Sequence, residues 1–252
     1  MKTRILIALF SLVLISCKTE EKQLTAQEII DKSIQNANID KVSNATLSFD
    51  FRERTYIADR NSGVFTLKRI TKKGTETITD ILSNDGFQRL LNGEKIHVAD
   101  SMAFRYSESI NSVHYFSVLP YGLNDAAVNK KLLEDTTVKG KEYYKVQVTF
   151  DQNGGGVDFE DVFVYWIDKE RFTIDYLAYL FHVNGGGKRF REVSKEHIVE
   201  GVRFVNYNNY KPNNSNIELS SIDKAFESND LTKVSEVNLE NIQLVENECN
   251  SC

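Results

Sequence analysis

The sequence predicts an α+β fold: a large, curled antiparallel sheet of about ten strands that forms an open half-barrel, with helices packed on its concave face. Alternation of apolar and polar residues, as over residues 47–52, is typical of half-buried strands. Compact turns such as Asn-Asp-Gly at residues 84–86 and Asn-Gly at residues 92–93 separate successive runs and indicate hairpins. Apolar residues at helical spacing, near the N-terminus and again beyond residue 100, add helices. The second of these helices leaves the sheet open rather than closed.

The chain begins with the pattern of a secretion signal. Lys2 and Arg4 precede an apolar run over residues 5–15 that is too short to cross a bilayer as a mature helix. The run ends in Leu-Ile-Ser-Cys at residues 14–17, which resembles a bacterial lipobox, where the chain is cut before the cysteine and the thiol is diacylated. This resemblance implies lipidation of Cys17 and an acyl anchor in a membrane. An ordinary signal peptide with an incidental cysteine is the alternative interpretation.

The predicted organisation is a single domain behind this anchor, because no linker and no internal repeat interrupts the rest of the chain. The divisions are a lipoprotein signal peptide over residues 1–16, a tether over 17–24, a half-barrel domain over 25–240 and a polar tail over 241–252. The start of the tether also resembles the acidic surface-export signals of Bacteroidota lipoproteins. A solvated linker explains the same residues equally well.

Charge and cysteine content limit the classes of function. The net charge of −5, without a basic cluster, argues against a nucleic acid partner and leaves membrane attachment to the acyl chains. Apart from Cys17, the cysteines are Cys249 and Cys252, which are too few for a zinc site and lack the strand–helix context of a redox motif. We therefore expect no metal, no cofactor, and a frayed C-terminal tail with or without a local disulfide.

The sequence of the first half of the domain predicts one helix followed by an antiparallel meander of strands. Thr-Ala-Gln-Glu at residues 25–28 is a capping box, and the apolar stripe behind it predicts a helix that ends near Asn38. The stripe consists of Ala26, Ile29, Ile30, Ile34 and Ala37. Strands joined by tight turns are then predicted over residues 45–57, 64–70, 76–83, 87–91 and 95–98.

A helical insertion separates this meander from a second one. Ser101 is the predicted N-cap of a helix that ends at Leu119-Pro120, and Asn124 is the predicted N-cap of a shorter helix through Leu133. Strands are predicted over residues 143–150, 159–167, 172–183, 189–193, 197–200 and 202–210, followed by a helix over 222–226 and the polar tail.

These elements resemble known lipoproteins at two levels. The order of helix, meander, inserted helices and second meander behind a lipobox is similar to the LolA/LolB type of lipoprotein-carrier fold. Local matches are Asn-Asp-Gly-Phe at residues 84–87, Tyr-Trp-Ile-Asp at 165–168 and Glu-Gly-Val-Arg-Phe at 200–204. More closely, the segments 113–125, 159–163 and 207–212 resemble a family of uncharacterised flavobacterial lipoproteins. The carrier resemblance implies a half-barrel that holds a hydrophobic ligand. Cys17 is a departure, because a soluble periplasmic shuttle has no anchor.

No pattern of catalytic residues predicts an enzyme. The chain has four histidines, His97, His114, His182 and His197. They lack the spacing of metal ligands or of a catalytic motif, so we expect surface or structural roles. The densest acidic cluster, Asp158, Glu160 and Asp161, has no calcium-loop spacing, and we expect it at a solvated strand entrance. The two Gly-Gly-Gly turns lack the lysine and following helix of a phosphate-binding loop.

Apolar surface is the strongest functional signal in the domain. The inserted segment carries more apolar side chains than one helical stripe needs, and the strands over residues 162–167 and 176–181 are apolar on both faces. We expect either a core helix packed into the open sheet or a lid over an apolar cavity that faces those strands. The candidate lid and ligand residues are Met102, Tyr106, Ile110, Val113, Phe116, Trp166, Tyr176 and Leu180.

These observations favour a non-enzymatic, lipid-anchored envelope lipoprotein whose half-barrel binds a lipid, an acyl chain or another hydrophobic ligand. The expected location is the outer membrane, in its periplasmic or surface-facing leaflet. One alternative is a structural or accessory lipoprotein that docks on another envelope protein and holds no ligand; an apolar cavity of about 300 Å³ or more would favour ligand binding over docking. The other alternative is a hydrolase or other enzyme, which requires folding to gather a histidine and a carboxylate in one cleft.

Overall fold

The computed structural model describes residues 23–155, 159–182 and 185–247. These residues form three α-helices, α1 (Ala26–Ala37), α2 (Asp100–Ser117) and α3 (Ile222–Glu227), and short 3-10 helices at Ile39–Asn44 and Leu219–Ser221. They also form fifteen strands: β1 (Ala45–Phe51), β2 (Arg54–Asn61), β3 (Val64–Lys73), β4 (Glu76–Ser83), β5 (Gly86–Leu91), β6 (Glu94–Ile96), β7 (Val128–Leu132), β8 (Thr136–Val138), β9 (Lys141–Phe150), β10 (Val162–Asp168), β11 (Ile174–Phe181), β12 (Gly187–Val199), β13 (Val202–Pro212), β14 (Leu231–Val237) and β15 (Glu240–Glu246). The signal peptide, Cys17, Asp158, Cys249 and Cys252 lie outside the described residues.

The strands form two antiparallel sheets. The first sheet has the order β15-β1-β2-β3-β4-β5-β6, and the second has the order β14-β13-β12-β11-β10-β9-β7, with β8 also paired to β9. The predicted α+β class and the open antiparallel architecture are confirmed. The described strands nevertheless number fifteen rather than about ten, and they lie in two sheets rather than one. The division falls at α2, because tight hairpins join β1 to β6 before it, and of the described strands after it β15 alone returns to the first sheet.

The two sheets meet along one side. The chain passes from β14, at the edge of the second sheet, to β15, at the edge of the first, through Asn238 and Leu239. Leu239 is buried there, and its backbone N–H donates a hydrogen bond to Asn206 Oδ1 at 2.9 Å. At the far edges, α2 carries the chain from β6 of the first sheet toward β7 of the second. The result is an open trough with α2 inside it.

Helix α1 forms as predicted. Thr25 Oγ1 accepts a hydrogen bond from the Glu28 N–H, and the Thr25 N–H donates to the Glu28 carboxylate at 2.8 Å, which completes the capping box. All five residues of the predicted stripe are buried in the core between the sheets. The helix ends at Asn38, whose left-handed backbone conformation is typical of a helix C-terminus.

Helix α2 is the predicted insertion, with different ends. It begins at Asp100 behind Ala99, so Ser101 lies in its first turn and is not the N-cap. It ends at Ser117, whose hydroxyl donates to the His114 carbonyl at 2.8 Å. Within the described residues, no helix, α2 included, is long and apolar enough to cross a membrane.

The first predicted strand, over residues 45–57, is a hairpin instead. β1 and β2 are joined at Arg52 and Glu53, whose φ angles are 50° and 57°. A two-residue turn of this kind requires left-handed backbone, which Gly or Asn usually supplies. Arg-Glu gives no such signal, so the sequence pattern shows one long strand where the chain forms two.

The shorter helix predicted from Asn124 through Leu133 is wrong. Residues Val128–Leu132 form β7, which pairs with β9 at the edge of the second sheet. Asn124 does not cap a helix; its side-chain amide donates to Asp31 of α1 at 2.7 Å. The segment is therefore fixed by partners that are distant in sequence.

The polar tail predicted from residue 241 is wrong for residues 241–246. These residues belong to β15, which pairs with β1 from Ala45↔Glu246 to Asp50↔Glu240. As an edge strand, β15 buries Leu244 but leaves Val245 63% exposed. Edge strands need few buried side chains, which explains why this segment shows no strong apolar alternation.

Two apolar clusters cover the two faces of the second sheet. The larger lies between the sheets and receives side chains from α1, from α2 and from both concave faces. The smaller lies on the convex face of the second sheet, beneath α3, and contains Trp166, Tyr176 and Phe190. Phe226 of α3 lies 4.9 Å from Phe190, measured between ring centroids. β10 and β11 are therefore apolar on both faces because both faces are covered.

Candidate functional site

A cavity of about 610 Å³ lies between α2 and the concave face of the second sheet. Seven of its fifteen lining residues are aromatic: Phe104, Tyr115 and Phe116 from α2, and Phe150, Phe163, Tyr179 and Phe181 from the sheet. Phe163 and Tyr179 stand opposite each other on β10 and β11, with ring centroids 5.6 Å apart. Phe116 packs 5.1 Å from Tyr179, so the helix and the sheet meet through their rings at the cavity wall.

The lining also contains four charged side chains, those of Arg105, Glu108, Asp161 and Arg189. The Arg189 guanidinium lies 5.1 Å from the Phe181 ring centroid. Asp161 is 8% exposed, which corrects its predicted place at a solvated strand entrance; Glu160 beside it is exposed. A few polar groups within an aromatic lining are typical of sites that bind and orient a small molecule.

Volume alone does not distinguish this site from other concave surfaces. A groove of about 610 Å³ beside the β1–β2 turn has a lining dominated by charged residues, among them Asp50, Glu53 and Lys72. A groove of about 660 Å³ near the end of β12 is lined by polar residues such as Lys195, His197 and Asn206. Neither groove presents the aromatic surface of the cavity beneath α2.

A buried ion-pair network attaches α2 to the first sheet. Asp80 on β4 stands opposite Arg69 on β3 and Arg89 on β5. Its carboxylate accepts hydrogen bonds from Arg69 Nη2 at 2.7 Å and from Arg89 Nη2 at 3.0 Å. Arg69 Nη1 also donates to Ser109 Oγ at 2.8 Å, and the Arg89 guanidinium lies 3.7 Å from the Tyr106 ring centroid. Charge-assisted contacts therefore fix two side chains of α2 to this sheet.

His114 adds a third contact between α2 and the first sheet. Its ring is 1% exposed, with centroids 5.9 Å from Phe49 and 5.6 Å from Tyr56. Nε2 lies 3.2 Å from the Lys68 carbonyl oxygen, to which it donates. Burial, together with the charge of Arg60 and against the opposing effect of the hydrogen bond to Lys68, lowers the pKa of His114 to about 3. The imidazole is consequently neutral at physiological pH.

Because His114 is buried in the neutral form, we expect it to make stability fall as the pH drops. Below pH 6.5 the unfolded chain takes up a proton that the folded chain refuses until about pH 3. The limiting slope is about 1.4 kcal/mol of unfolding free energy per pH unit. Urea denaturation between pH 6.5 and 5 should show a shallower decline for His114→Gln, which keeps an N–H donor but does not titrate. Equal slopes for both proteins would contradict this assignment.

Tyr115 connects α2 to the second sheet. Its hydroxyl oxygen lies 2.9 Å from that of Tyr165 on β10. Burial raises the pKa of both tyrosines, so both hydroxyls remain protonated and one donates to the other. Since Tyr115 also lines the cavity, this pair holds the aromatic wall in place.

The five candidate residues on α2 lie in different surroundings. Phe116 is the one that lines the 610 Å³ cavity, whereas Ile110 is fully buried in the core between the sheets. Tyr106 contacts the ion-pair network, and Val113 is half-buried and lines a second, smaller cavity. Met102 is 37% exposed in the first turn of α2.

The structure does not bring the other three candidates to this cavity. Trp166, Tyr176 and Leu180 belong to the cluster on the convex face of the second sheet, beneath α3. The expectation that an apolar cavity under α2 faces these residues is therefore wrong. Alternation along β10 and β11 shows that both faces are apolar, but it does not show which face is concave.

The residues missed by the sequence analysis occupy the alternate positions of the same strands. Phe163 and Tyr179 line the cavity. Each lies an odd number of residues from Trp166 and from Tyr176, so its side chain lies on the opposite face of the sheet. Phe150 and Phe181, at the ends of β9 and β11, complete the wall. The sequence shows these residues as aromatic side chains at every second position of the strands. It does not show which face of the sheet they occupy, because that depends on the folded second sheet.

The histidines are dispersed in the fold. Among the described residues, no group of three or more His, Cys, Asp or Glu side chains could hold a metal ion. His97 is exposed, and His197 Nε2 lies 3.2 Å from Asn206 Oδ1. One histidine–carboxylate pair does form beside the cavity, with His182 Nδ1 3.3 Å from Asp161 Oδ1. The His182 side chain in this pair is half exposed.

The fold and the site first define a class of protein: an open, two-sheet α+β fold with a cavity, rich in aromatic side chains and open to one side, beneath an internal helix. By sequence, the chain belongs to a family of unknown function, DUF6503, whose model matches residues 2–239. The predicted membership in an uncharacterised family is confirmed by this match. A search of curated proteins finds no match.

Solved structures resemble this chain at low similarity. A putative outer membrane lipoprotein-sorting protein domain from Vibrio parahaemolyticus has a TM-score of 0.43 and 9% identity, covering 90% of this chain and 95% of that chain. A DUF1329 family protein from Desulfovibrio piger has a TM-score of 0.40 and 10% identity, covering 91% and 96%. Lipoprotein LppX from Mycobacterium tuberculosis has a TM-score of 0.28 and 11% identity, covering 63% and 89%. Likenesses this distant assign no ligand and no activity to this chain.

Proposed function

We propose that the protein is a lipid-anchored, non-enzymatic envelope lipoprotein that binds a lipid, an acyl chain or another hydrophobic ligand between α2 and the second sheet. The observation that supports this function most is the cavity of about 610 Å³ with seven aromatic side chains in its lining. Small-molecule sites are typically apolar clefts of about 300–1,000 Å³ with few polar groups. Lipidation at Cys17 and location in the outer membrane are parts of the proposal that rest on the lipobox resemblance.

In this proposal α2 is a fixed wall of the site rather than a lid that swings away. Its contacts with the first sheet are the charge-assisted bonds of Arg69 and Arg89 and the His114 hydrogen bond. Its contacts with the second sheet are the Tyr115–Tyr165 hydrogen bond and the packing of aromatic rings, and an apolar ligand can replace the ring packing while that hydrogen bond stays intact. Phe104 lines the cavity and is 50% exposed, which marks the first turns of α2 as the entrance.

Native mass spectrometry tests the proposed function. The chain from residue 18 onward, purified from a bacterial host, is expected to carry a lipid or fatty acid. Ser112→Trp should reduce the bound fraction several-fold, because Ser112 is exposed on α2 and lines the cavity, so the indole fills the space that the ligand needs. Ser101→Trp is the matched control, since Ser101 is exposed on the same helix but outside the lining. A clean apo mass, with no uptake of a fluorescent fatty acid, would reject ligand binding and favour a docking lipoprotein.

One observation favours the enzyme alternative, namely the His182–Asp161 pair beside the cavity. A histidine oriented by a carboxylate can act as a general base. Hydrolysis of long-chain p-nitrophenyl esters is the appropriate assay. We expect no turnover above background; turnover that His182→Ala abolishes would replace the carrier proposal with a hydrolase.

A further inference from the structure

Arg191 is a buried cation on the concave face of the second sheet. It lies on β12, is 8% exposed, and stacks its guanidinium 3.7 Å from the Phe116 ring centroid. Nη2 donates to Tyr179 Oη at 3.1 Å. Nε and Nη1 find no hydrogen-bond partner among the described residues. Stacking satisfies the face of a guanidinium but not the N–H groups in its plane, so these donors are left to another partner.

Unsatisfied buried donors of this kind are rare, because they lose their bonds to water and gain nothing in exchange. Charged neighbours elsewhere in the second sheet are paired: Arg203, for example, donates to Glu196 at 2.7 Å. Arg191 differs from these residues, since its charge faces three aromatic rings, those of Phe116, Tyr179 and Tyr207. Within the described part of the chain, Arg191 is therefore a buried cation for which no ion-pair partner is found.

A cavity of about 180 Å³ lies beside this guanidinium. Its lining contains two arginines, Arg191 and Arg52, and no acidic residue. Ser112 and Tyr207 add side-chain hydroxyl groups to the same lining, whereas the Asn209 side-chain amide donates to Ser235 Oγ at 3.1 Å. Burial raises the pKa of Tyr207 to about 12, so its hydroxyl stays protonated and neutral. The small cavity is thus positively charged and provides neutral hydrogen-bond donors, which suits an anionic group.

The small cavity adjoins the large aromatic one. Ser112 and Phe116 of α2 line both of them, and the Phe116 and Tyr179 side chains that line the large cavity are the ones that contact Arg191. A ligand with its apolar part among the rings of the large cavity can therefore place a polar end beside Arg191.

We propose that Arg191 binds the anionic group, a carboxylate or a phosphate, of an amphiphile whose apolar chain occupies the aromatic cavity. Guanidinium groups bind the oxygens of either anion through charge-assisted hydrogen bonds. Because the unpartnered donors of Arg191 are buried, its side chain must shift to present them to the ligand. This inference rests on the proposed function and deepens it, because it defines the ligand as an anionic amphiphile rather than a neutral hydrocarbon.

The test compares three probes with the same hydrocarbon chain: oleate, oleyl phosphate and the uncharged methyl oleate. Native mass spectrometry titration of the chain from residue 18 onward gives each dissociation constant. Arg191→Met should weaken binding of the preferred anion about 10- to 100-fold, as expected for hydrogen bonds to a charged group. Binding of methyl oleate should stay within about twofold, which shows that the variant is folded and its cavity intact. The probe whose affinity falls more in Arg191→Met, oleate or oleyl phosphate, shows whether Arg191 binds a carboxylate or a phosphate.

Arg60→Met is the matched control. Arg60 is also 8% exposed, has an Nη1 atom without a partner among the described residues, and lies 5.5 Å from the Tyr121 ring centroid. It belongs to the first sheet and lines neither cavity, so its loss should leave anion affinity unchanged. The inference is overturned if the wild-type chain binds methyl oleate as tightly as both anions, or if Arg191→Met binds them like wild type. Failure of all three probes to bind would reject the proposed function as well.

Discussion

Replacing Asp80 by asparagine is expected to lower the free energy of unfolding by about 3–5 kcal/mol, the cost of removing one partner from a buried ion pair. Asp80 is 1% exposed and is the common acceptor for Arg69 and Arg89. Without its charge, two guanidinium groups remain beneath α2 with no compensating anion. Urea denaturation of the variant and the wild-type chain measures the difference.

Two further variants show whether this loss comes from the charge network. Asp85→Asn changes an exposed aspartate in the turn between β4 and β5 and should alter stability by no more than about 0.5 kcal/mol. The triple variant Arg69→Met/Asp80→Asn/Arg89→Met should recover part of the loss, because removing every charge leaves none unpaired. If Asp80→Asn were as stable as Asp85→Asn, the ion-pair network would not be what fixes α2 to the first sheet.

Trp166→Ala is expected to destabilise the fold by about 3–5 kcal/mol, the usual cost of a large cavity in a core. Trp166 is fully buried in the convex cluster, with its ring centroid 5.6 Å from that of Phe190. Its Nε1 atom has no hydrogen-bond partner among the described residues, so the loss comes from packing. Thermal and urea denaturation measure the effect.

Trp166→Ala should leave ligand affinity unchanged under conditions in which the variant is folded. Trp166 lies on the opposite face of the second sheet from the aromatic cavity. Tyr179→Ala provides the comparison, because Tyr179 lines the cavity and its loss should weaken fatty-acid binding. If Trp166→Ala reduced affinity as much as Tyr179→Ala at a temperature where both are folded, the assignment of the site to the concave face would be wrong.

The elements predicted correctly are those whose signals are local. The capping box at Thr25 and Glu28 and the stripe behind it define α1 without reference to any other element. The hairpin over β4 and β5 follows from one Asn-Asp-Gly turn. Prediction failed at Arg52 and Glu53, where positive φ angles occur in residues that give no turn signal.

The elements predicted wrongly depend on partners far away in sequence. β15 exists because it pairs with β1, about the whole length of the domain earlier in the chain, and β7 exists because it pairs with β9. Trp166 was placed on the wrong face for the same reason. The concave face of the second sheet is the one that packs against α2 and the first sheet, and the convex face is the one that α3 covers.

The ion-pair network could have been predicted from register. The turn at Gly74 and Thr75 places Arg69 opposite Asp80, and the next turn places Asp80 opposite Arg89. Opposite charges at directly facing positions of three adjacent strands indicate a cross-strand pair. Arg191 gave no comparable signal, because its unpartnered donors become evident only when Phe116 and Tyr179 surround it.

Photoaffinity labelling tests most directly whether the ligand lies between α2 and the second sheet. A fatty acid with a diazirine near its methyl end is bound, irradiated, and located by peptide mass spectrometry. We expect the label on residues of the aromatic cavity, such as Phe104, Phe116, Phe163 or Tyr179. Label on the convex cluster beneath α3, or label spread evenly over the surface, would contradict this account.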